Sequence, residues 1–456
     1  MTDRPQPTSP TPPSLVARLT GGLDAFVGRW LPEPLVIVLL LTFLVFGAGL
    51  AAGSGPVEMA TFFGEGFWDL LTFAMQMALV LVTGFVVAST PLFERAMGRL
   101  ARVAATPRQA ILLVTAVSLA ACLVNWGFGL VIGALFAKRL AREVPDVDYR
   151  VLIAAGYSGF VVWHAGLSGS IPLTAATPGN FLEDEIGLIP TSETIFSPAN
   201  LILLGVICLG LPFLNAAMLN HGGRVVRAGD LRLEDDPEDP TERPDPAPRT
   251  PAAKLEHARW LGWAAGAFGL SFLAMLMVRG DFALTLDTVN FLFLFAALAL
   301  HGSARNFLVA LDEAVKGVGG ILIQFPFYAG IMGMMVGSGL AAGLTDLFVS
   351  GANATVLPAL AFLSAGLVNV LVPSGGGQWA VQGPIIMPAA EALGADAARV
   401  ALAVAWGDAW TNMIQPFWAL PALAVAGLSA RDIMGFCVLV LLASGAVLLV
   451  GLTFLP

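Results

Sequence analysis

The chain has 456 residues, of which 57% are hydrophobic and only 12% charged, with a net charge of −9. A soluble domain carries about 25% charge, and intrinsic disorder needs low hydrophobicity, so both are excluded. The acidic balance and the lack of a basic tract exclude nucleic-acid binding. The composition is that of an all-α polytopic membrane protein.

Residues 1–30 read as a cytoplasmic tail, polar and rich in Pro, Ser and Thr over 1–13. They are no secretory signal, because no small-residue cleavage site follows the first apolar run. A crossing needs roughly 20 apolar residues. Nine stretches qualify: 34–52, 68–90, 150–177, 199–219, 259–278, 284–301, 317–340, 399–427 and 431–454. Two more, 108–140 and 356–390, are interrupted by Asn125-Trp126-Gly127-Phe128-Gly129 and Pro373-Ser374-Gly375-Gly376-Gly377-Gln378. Their arms are short for a crossing, so both read as re-entrant hairpins. Spans 150–177 and 399–427 read as helices broken near the midplane, at His164–Ser170 and Thr411–Pro416. The polar, Pro-rich stretch 220–258 reads as a cytoplasmic linker. With a cytoplasmic N-terminus, all but Arg279 and Arg399 of the 23 Lys and Arg fall inside, as the positive-inside rule requires.

The two halves repeat. Arg150-Val151 matches Arg399-Val400, Pro172 matches Pro421, Gln76 matches Gln324, and Leu123-Val124-Asn125 matches Leu367-Val368-Asn369, at nearly one offset and in one order. The first repeat is 31–219 and the second 284–456, and the single connecting span 259–278 inverts the second. Inverted repeats with interrupted helices are a secondary-transporter signature, and the interruptions point to the binding site.

A helix that restarts at a hairpin tip presents free N–H donors and a partial positive charge. Two such ends could hold a carboxylate without Lys or Arg, neither of which lies in the middle of any span. The substrate candidates are therefore Asn125, Trp126, Gly127, Phe128 and Gly129 at one tip, and Ser374, Gly375, Gly376, Gly377 and Gln378 at the other. Gln76 and Gln324 could add hydrogen bonds. The alternative for the glycines is close helix crossing. Side-chain oxygens around the breaks suit Na⁺, a hard cation; the coupling-ion candidates are Ser168, Ser170, Thr177, Asn180, Asn369, Asp408, Thr411, Asn412 and Gln415. Asp408 lies deep in an apolar span, where an acid is costly and usually functional, so it is also the candidate proton carrier. His164 reads as a structural neighbour of Trp163, with a titrating role as the alternative. Trp126, Phe128, Trp379, Trp410, Phe417 and Trp418 cluster around the breaks; they could wall a pocket for a short alkyl chain, with ordinary aromatic packing as the default. Cys122, Cys208 and Cys437 are dispersed in apolar stretches and the four His are scattered. No metal site or cofactor is expected beyond H⁺ or Na⁺ as coupling ion.

Gly64-Glu65-Gly66-Phe67-Trp68, Met75-Gln76-Met77-Ala78-Leu79, the Asn125–Gly129 run and Ala175-Ala176-Thr177-Pro178-Gly179-Asn180 carry a family resemblance. So do Gln324-Phe325-Pro326-Phe327-Tyr328-Ala329-Gly330, Val372-Pro373-Ser374-Gly375-Gly376-Gly377 and Gln415-Pro416-Phe417-Trp418-Ala419-Leu420-Pro421. With these motifs the chain resembles the short-chain fatty acid transporter family, the AtoE-like proteins, from about residue 24 to the C-terminus. The resemblance implies uptake of short monocarboxylates such as acetoacetate or butyrate across the bacterial inner membrane, driven by an ion gradient. It also places the chain near a broader ion-transporter group whose members are often homodimers. His164-Ala165 departs from the small residues expected there, and the 220–258 linker is this chain's own. The expected function is a secondary active symporter working by alternating access, with a small carboxylate and membrane lipid as its partners. The alternatives are a carrier of other small or dicarboxylic anions, or an uncoupled channel or uniporter. An enzyme is not expected, because no metal cluster, triad or P-loop is present.

Overall fold

The computed structural model describes residues 34–220, 225–230, 250–371, 374–415, 418–419, 422–423 and 426–455. The expected N-terminal tail, most of the 220–258 linker, and Pro373, Pro416, Phe417 and Pro421 lie outside the described residues.

Helices come in two sets with the same order. The first set is α1 (Pro34–Ala51), α2 (Pro56–Gly66), α3 (Leu71–Ala88), α4 (Pro91–Ala101), α5 (Pro107–Val124), α6 (Trp126–Glu143), α7 (Tyr149–Ser158), α8 (Ser170–Ala176) and α9 (Pro198–Ala217). A connecting helix α10 (Arg259–Arg279) follows. The second set is α11 (Leu286–His301), α12 (Ala304–Ala314), α13 (Gly319–Gly337), α14 (Leu340–Gly351), α15 (Leu357–Leu371), α16 (Gly375–Leu393), α17 (Ala397–Thr411) and α18 (Ala430–Phe454). Each runs long helix, short helix, long helix, short helix, two-arm hairpin, interrupted segment, long helix. The starts are written locally. Pro opens α2, α4, α5 and α9, where its missing N–H would be unpaired anyway. Asp148 and Asp396 cap α7 and α17 at matching positions.

Both hairpins have antiparallel arms. Gly129 lies against Cys122, and Gly133 against Ser118, so α6 retraces α5. Gln378 and Gln382 likewise reach back to Ala365 and Ser364. The first break in the interrupted segment is a tight 3₁₀ stretch, Gly159–Ala165, followed by non-helical Gly166–Gly169 before α8. The second is the turn at 412–415 that ends α17.

Among the described residues, seven helices are long and apolar enough to cross a membrane. Six coincide with expected spans. The seventh, Pro107–Val124, is the first arm of the expected 108–140 hairpin, and its 18 residues reach about 27 Å. Its hairpin character therefore rests on the break at Asn125, not on a short arm. The 34–52 and 284–301 spans appear as shorter apolar helices, and 399–427 is interrupted after Thr411. The amphipathic helices α2, α4, α12 and α14 were not expected, since none is long enough to register as a crossing.

The packing exchanges the repeats. α3 lies beside α11 and α1 beside α13, while α2 lies on α13 and α12 on α3. The α3–α11 pair is parallel, with Asn290 donating to the Gln76 carbonyl at 2.9 Å and His301 Nε2 meeting the Val86 carbonyl at 2.8 Å. The interrupted segments instead cross antiparallel. Tyr149 donates to the Ala426 carbonyl, Tyr157 to that of Asn412, and Trp163 to the Asn412 side chain. Equivalent segments that meet head to tail are what an inverted repeat produces. On the outside, α10 exposes Trp260, Trp263, Phe268 and Val278, a surface suited to hydrocarbon rather than water.

Candidate functional site

The second tip is built to present backbone. Ser374 has extended geometry (φ −153°, ψ 112°) and its Oγ caps α16 by accepting from Gly377 N at 3.3 Å. The N–H groups of Gly375 and Gly376 have no acceptor among the described residues, as first-turn donors do not. Gly375 faces His164 Nε2 and Ser170 Oγ, and Gly376 faces the rings of Phe73 and Phe325. A side chain at either position would press on these neighbours beside the helix end.

The first tip is closed. Asn125 Oδ1 accepts from Phe128 N at 2.9 Å, and Ser168 Oγ accepts from Trp126 N at 2.9 Å. Gly127 lies on the backbone of Leu81, and Gly129 on that of Cys122. Its glycines allow close helix crossing and leave no room for an anion. The two helix ends therefore do not open alike: the first tip lines the space between them with the side chain of Trp126, and the second with the backbone of Gly375 and Gly376.

Between them lies a small cavity of about 60 Å³. Met77, Leu81, Ile321 and Phe325 make an apolar wall, and Trp126, Trp163 and Trp418 an aromatic one. Ser170, Gln324, Ser374, Gly375 and Gly376 supply the polar side. No charged residue is among the described residues that line it. The buried Nε1–H of Trp126 has no acceptor among the described residues. The lining therefore combines neutral donors with hydrocarbon.

The model of the family described as "Short chain fatty acid transporter" matches residues 15–455. A protein of Escherichia coli (strain K12) is 44% identical over 440 residues, covering 96% of this chain and all of its own length. One of Haemophilus influenzae is 42% identical over 450 residues, covering 97% of this chain and all of its own. Both are named "Putative short-chain fatty acid transporter". The chain belongs to the short-chain fatty acid transporter family.

Membership in this transporter family makes the chain a multi-pass membrane transporter and not an enzyme. Its fold is also that of two solved transporters. The Alcanivorax borkumensis YdaH transporter superposes with a TM-score of 0.57 at 16% identity, covering 93% of this chain and 97% of that one. Neisseria gonorrhoeae MtrF gives 0.52 at 16% identity, covering 96% of each.

Trp126, Gln324, Ser374, Gly375 and Gly376 line one cavity, together with Ser170. Gly377 instead supports Tyr328, and Phe128 packs on Phe93. Gln378 is buried behind the tip, donating to the Ala365 carbonyl at 3.0 Å. Gln76 is elsewhere: it donates to Asp287 at 2.8 Å and lines a second pocket with Thr177 and Asn180. Phe73 lines that second pocket and packs on Phe325, which lines the central cavity, with ring centroids 5.6 Å apart. Phe181 packs on its other side at 5.7 Å. These rings stand between the two spaces.

The coupling-ion candidates do not share one place. Ser168 is committed to Trp126, and Thr177 and Asn180 bond each other in the second pocket. Asn369, Asp408 and Thr411 do meet, with Asn369 Nδ2 donating to the Asp408 carbonyl and to Thr411 Oγ1 at 2.9 Å each. Asn412 Oδ1 is taken by Trp163 at 3.0 Å. Gln415 is buried beyond the turn. The Asp408 carboxylate faces a nitrogen: His164 Nε2 lies 3.9 Å from Asp408 Oδ1, and both side chains are fully buried. His164 Nε2 is also 3.3 Å from Ser170 Oγ. His164 is thus more than a neighbour of Trp163. Sequence reasoning passed over Phe73, Met77, Leu81 and Ile321, since an apolar residue in an apolar span carries no signal of what it faces.

Proposed function

We propose that this protein is a secondary active transporter carrying short-chain monocarboxylates, such as butyrate or acetoacetate, across the bacterial inner membrane. Its N-terminus is cytoplasmic, transport is coupled to H⁺ or Na⁺, and access to the site alternates. The observation that carries this reading is the cavity at the second tip. Donors from Gly375, Gly376 and Trp126 meet one carboxylate, and the alkyl chain lies against Met77, Leu81 and Ile321. A second carboxylate would fall on hydrocarbon with no Lys or Arg to receive it, which favours monocarboxylates over dicarboxylates. Phe73, Phe181 and Phe325 form the closed side in this conformation, and movement of the second hairpin against α3 and α13 opens it.

Counterflow in proteoliposomes tests the reading. Unlabelled butyrate or acetoacetate inside should drive uptake of labelled butyrate, succinate inside should not, and Gly376→Trp should abolish the exchange in folded protein. Equal exchange with succinate would replace this reading with a dicarboxylate carrier. Intact exchange in Gly376→Trp would remove the second tip from the site.

A further inference from the structure

The cavity takes in an anion, yet no cationic side chain lines it among the described residues. Moving an uncompensated charge through a site of low dielectric is costly. Against the same helix end lies a buried pair of opposite type. His164 Nε2 is directed at Gly375, at Ser170 Oγ (3.3 Å) and at Asp408 Oδ1 (3.9 Å). His164 Nδ1 and both carboxylate oxygens of Asp408 have no hydrogen-bond partner among the described residues. Buried polar atoms are nearly always satisfied, so this group lacks something that it binds. A nitrogen opposite a carboxylate suits a proton, whereas Na⁺ and other hard cations take oxygen.

We infer that His164 and Asp408 together are the proton-binding site of this carrier, taking up one proton with each carboxylate that occupies the cavity. The inference rests on the carboxylate-carrier reading above. The proton enters from the side that supplies the substrate, resides on the imidazole nitrogen or carboxylate oxygen of the pair, and leaves on the other side with the substrate. Only N–H and O–H bonds form and break. The added positive charge cancels the added negative one, so the loaded carrier crosses no more highly charged than the empty one. Ser170, which opens α8 beside Gly375, links the pair to the substrate's end of the cavity.

Other titratable groups stand on the surrounding helices, among them Arg108 at the start of α5 and Lys138, Arg139, Arg142 and Glu143 in the last turns of α6. Cys122 on α5 lies 4.0 Å from Ser118, and Tyr157 on α7 donates to the Asn412 carbonyl at 2.7 Å. Arg150 pairs with Asp148 at 3.0 Å at the start of α7, and Arg399 donates to the Leu452 carbonyl at the start of α17. Cys208 on α9 and Cys437 on α18 are thiols within apolar runs, and Glu391 and Asp432 stand near helix ends.

The test uses full-length protein in proteoliposomes, with labelled butyrate and protein-free vesicles as the control for passive entry. A pH gradient without Na⁺ should drive protein-dependent accumulation, and a valinomycin-imposed voltage should not change it. The half-saturation concentration for counterflow should fall about tenfold per unit of acidification over the range where the pair titrates. His164→Gln and Asp408→Asn should each flatten that profile and lose accumulation driven by the pH gradient. The two substitutions lie on different segments, so either one decides if it folds, and the voltage arm needs only the unaltered protein. Accumulation driven by Na⁺ alone, voltage-driven uptake, or variants that keep the original pH profile would each overturn the inference. The last result would mean that the neutral acid itself is carried. Absence of counterflow at every pH would instead sink the carrier reading.

Discussion

The indole N–H of Trp163 donates to the side-chain oxygen of Asn412 at 3.0 Å, across 249 positions of sequence. The same offset separates Trp126 from Gly375, the first residues of the two restarting hairpin arms. Trp163 therefore bonds its own counterpart in the other repeat, where the interrupted segments cross antiparallel. Such a bond ties the two interrupted segments together where they cross. Side-chain hydrogen bonds within membranes are worth about 0.6 kcal/mol on average, and leaving a buried acceptor unpaired costs about 1–3 kcal/mol. Trp163→Phe should lower the unfolding temperature in detergent by a few degrees, and so should Asn412→Ala. The double variant should lose less than the sum. Strictly additive losses would mean that the contact holds nothing together.

The two tips should respond differently to the smallest substitution. A Cβ at Gly129 would lie 2.6 Å from the backbone of Cys122, which cannot yield without moving a helix. Overpacking of this kind costs about 1–3 kcal/mol. Gly129→Ala should therefore reduce stability and yield, while leaving transport per folded molecule largely intact. At Gly376 the obstacle is the far edge of the Phe73 ring, which can turn. Gly376→Ala should fold and lose at least about tenfold in butyrate uptake, because the methyl group displaces the Phe73 ring beside the cavity. Yield on size-exclusion chromatography and initial uptake rate separate the two effects.

Trp126→Phe keeps the aromatic wall and removes one donor. Hydrogen bonds to charged groups contribute about 1.5–3 kcal/mol. The half-saturation concentration for butyrate should rise by roughly tenfold or more, since about 1.4 kcal/mol is one decade. Maximal exchange rate should change less. An unchanged half-saturation would show that the indole N–H does not meet the carboxylate.

Phe73 closes the central cavity from the pocket at Gln76, Thr177 and Asn180. Phe73→Ala should join the two spaces. The expected result is downhill butyrate flux that persists while accumulation collapses, measured as the ratio of equilibration to concentrative uptake. Retention of full accumulation would place the barrier elsewhere.

Much of this architecture was legible because interruptions are loud in an apolar sequence. Asn125, the glycine run at 375–377 and the polar residues 411–415 stand out against Leu, Val and Ala, and each marks a real break. The glycine-rich start of the second restarting arm was legible for the same reason. What a residue faces was not. Gly127 and Gly129 look like Gly375 and Gly376 in sequence, yet they lie against backbone while the latter lie against side chains and line the cavity. Thr177, Asn180 and Gln76 have suitable chemistry but belong to another pocket. His164 gained its meaning from Asp408, which is 244 positions away and reaches it only because the interrupted segments cross. The short helices α2, α4, α12 and α14 escaped notice because hydropathy counts length, and each has only 11 or 12 residues.

The most direct test of the carrier assignment is concentrative uptake of labelled butyrate by purified protein in vesicles. Pre-set pH and Na⁺ gradients would be applied one at a time, with Gly376→Trp and protein-free vesicles as references. The account predicts accumulation above equilibrium in the unaltered protein under an ion gradient, and none in Gly376→Trp. Equilibration without accumulation under both gradients would contradict it and leave a channel or uniporter in its place.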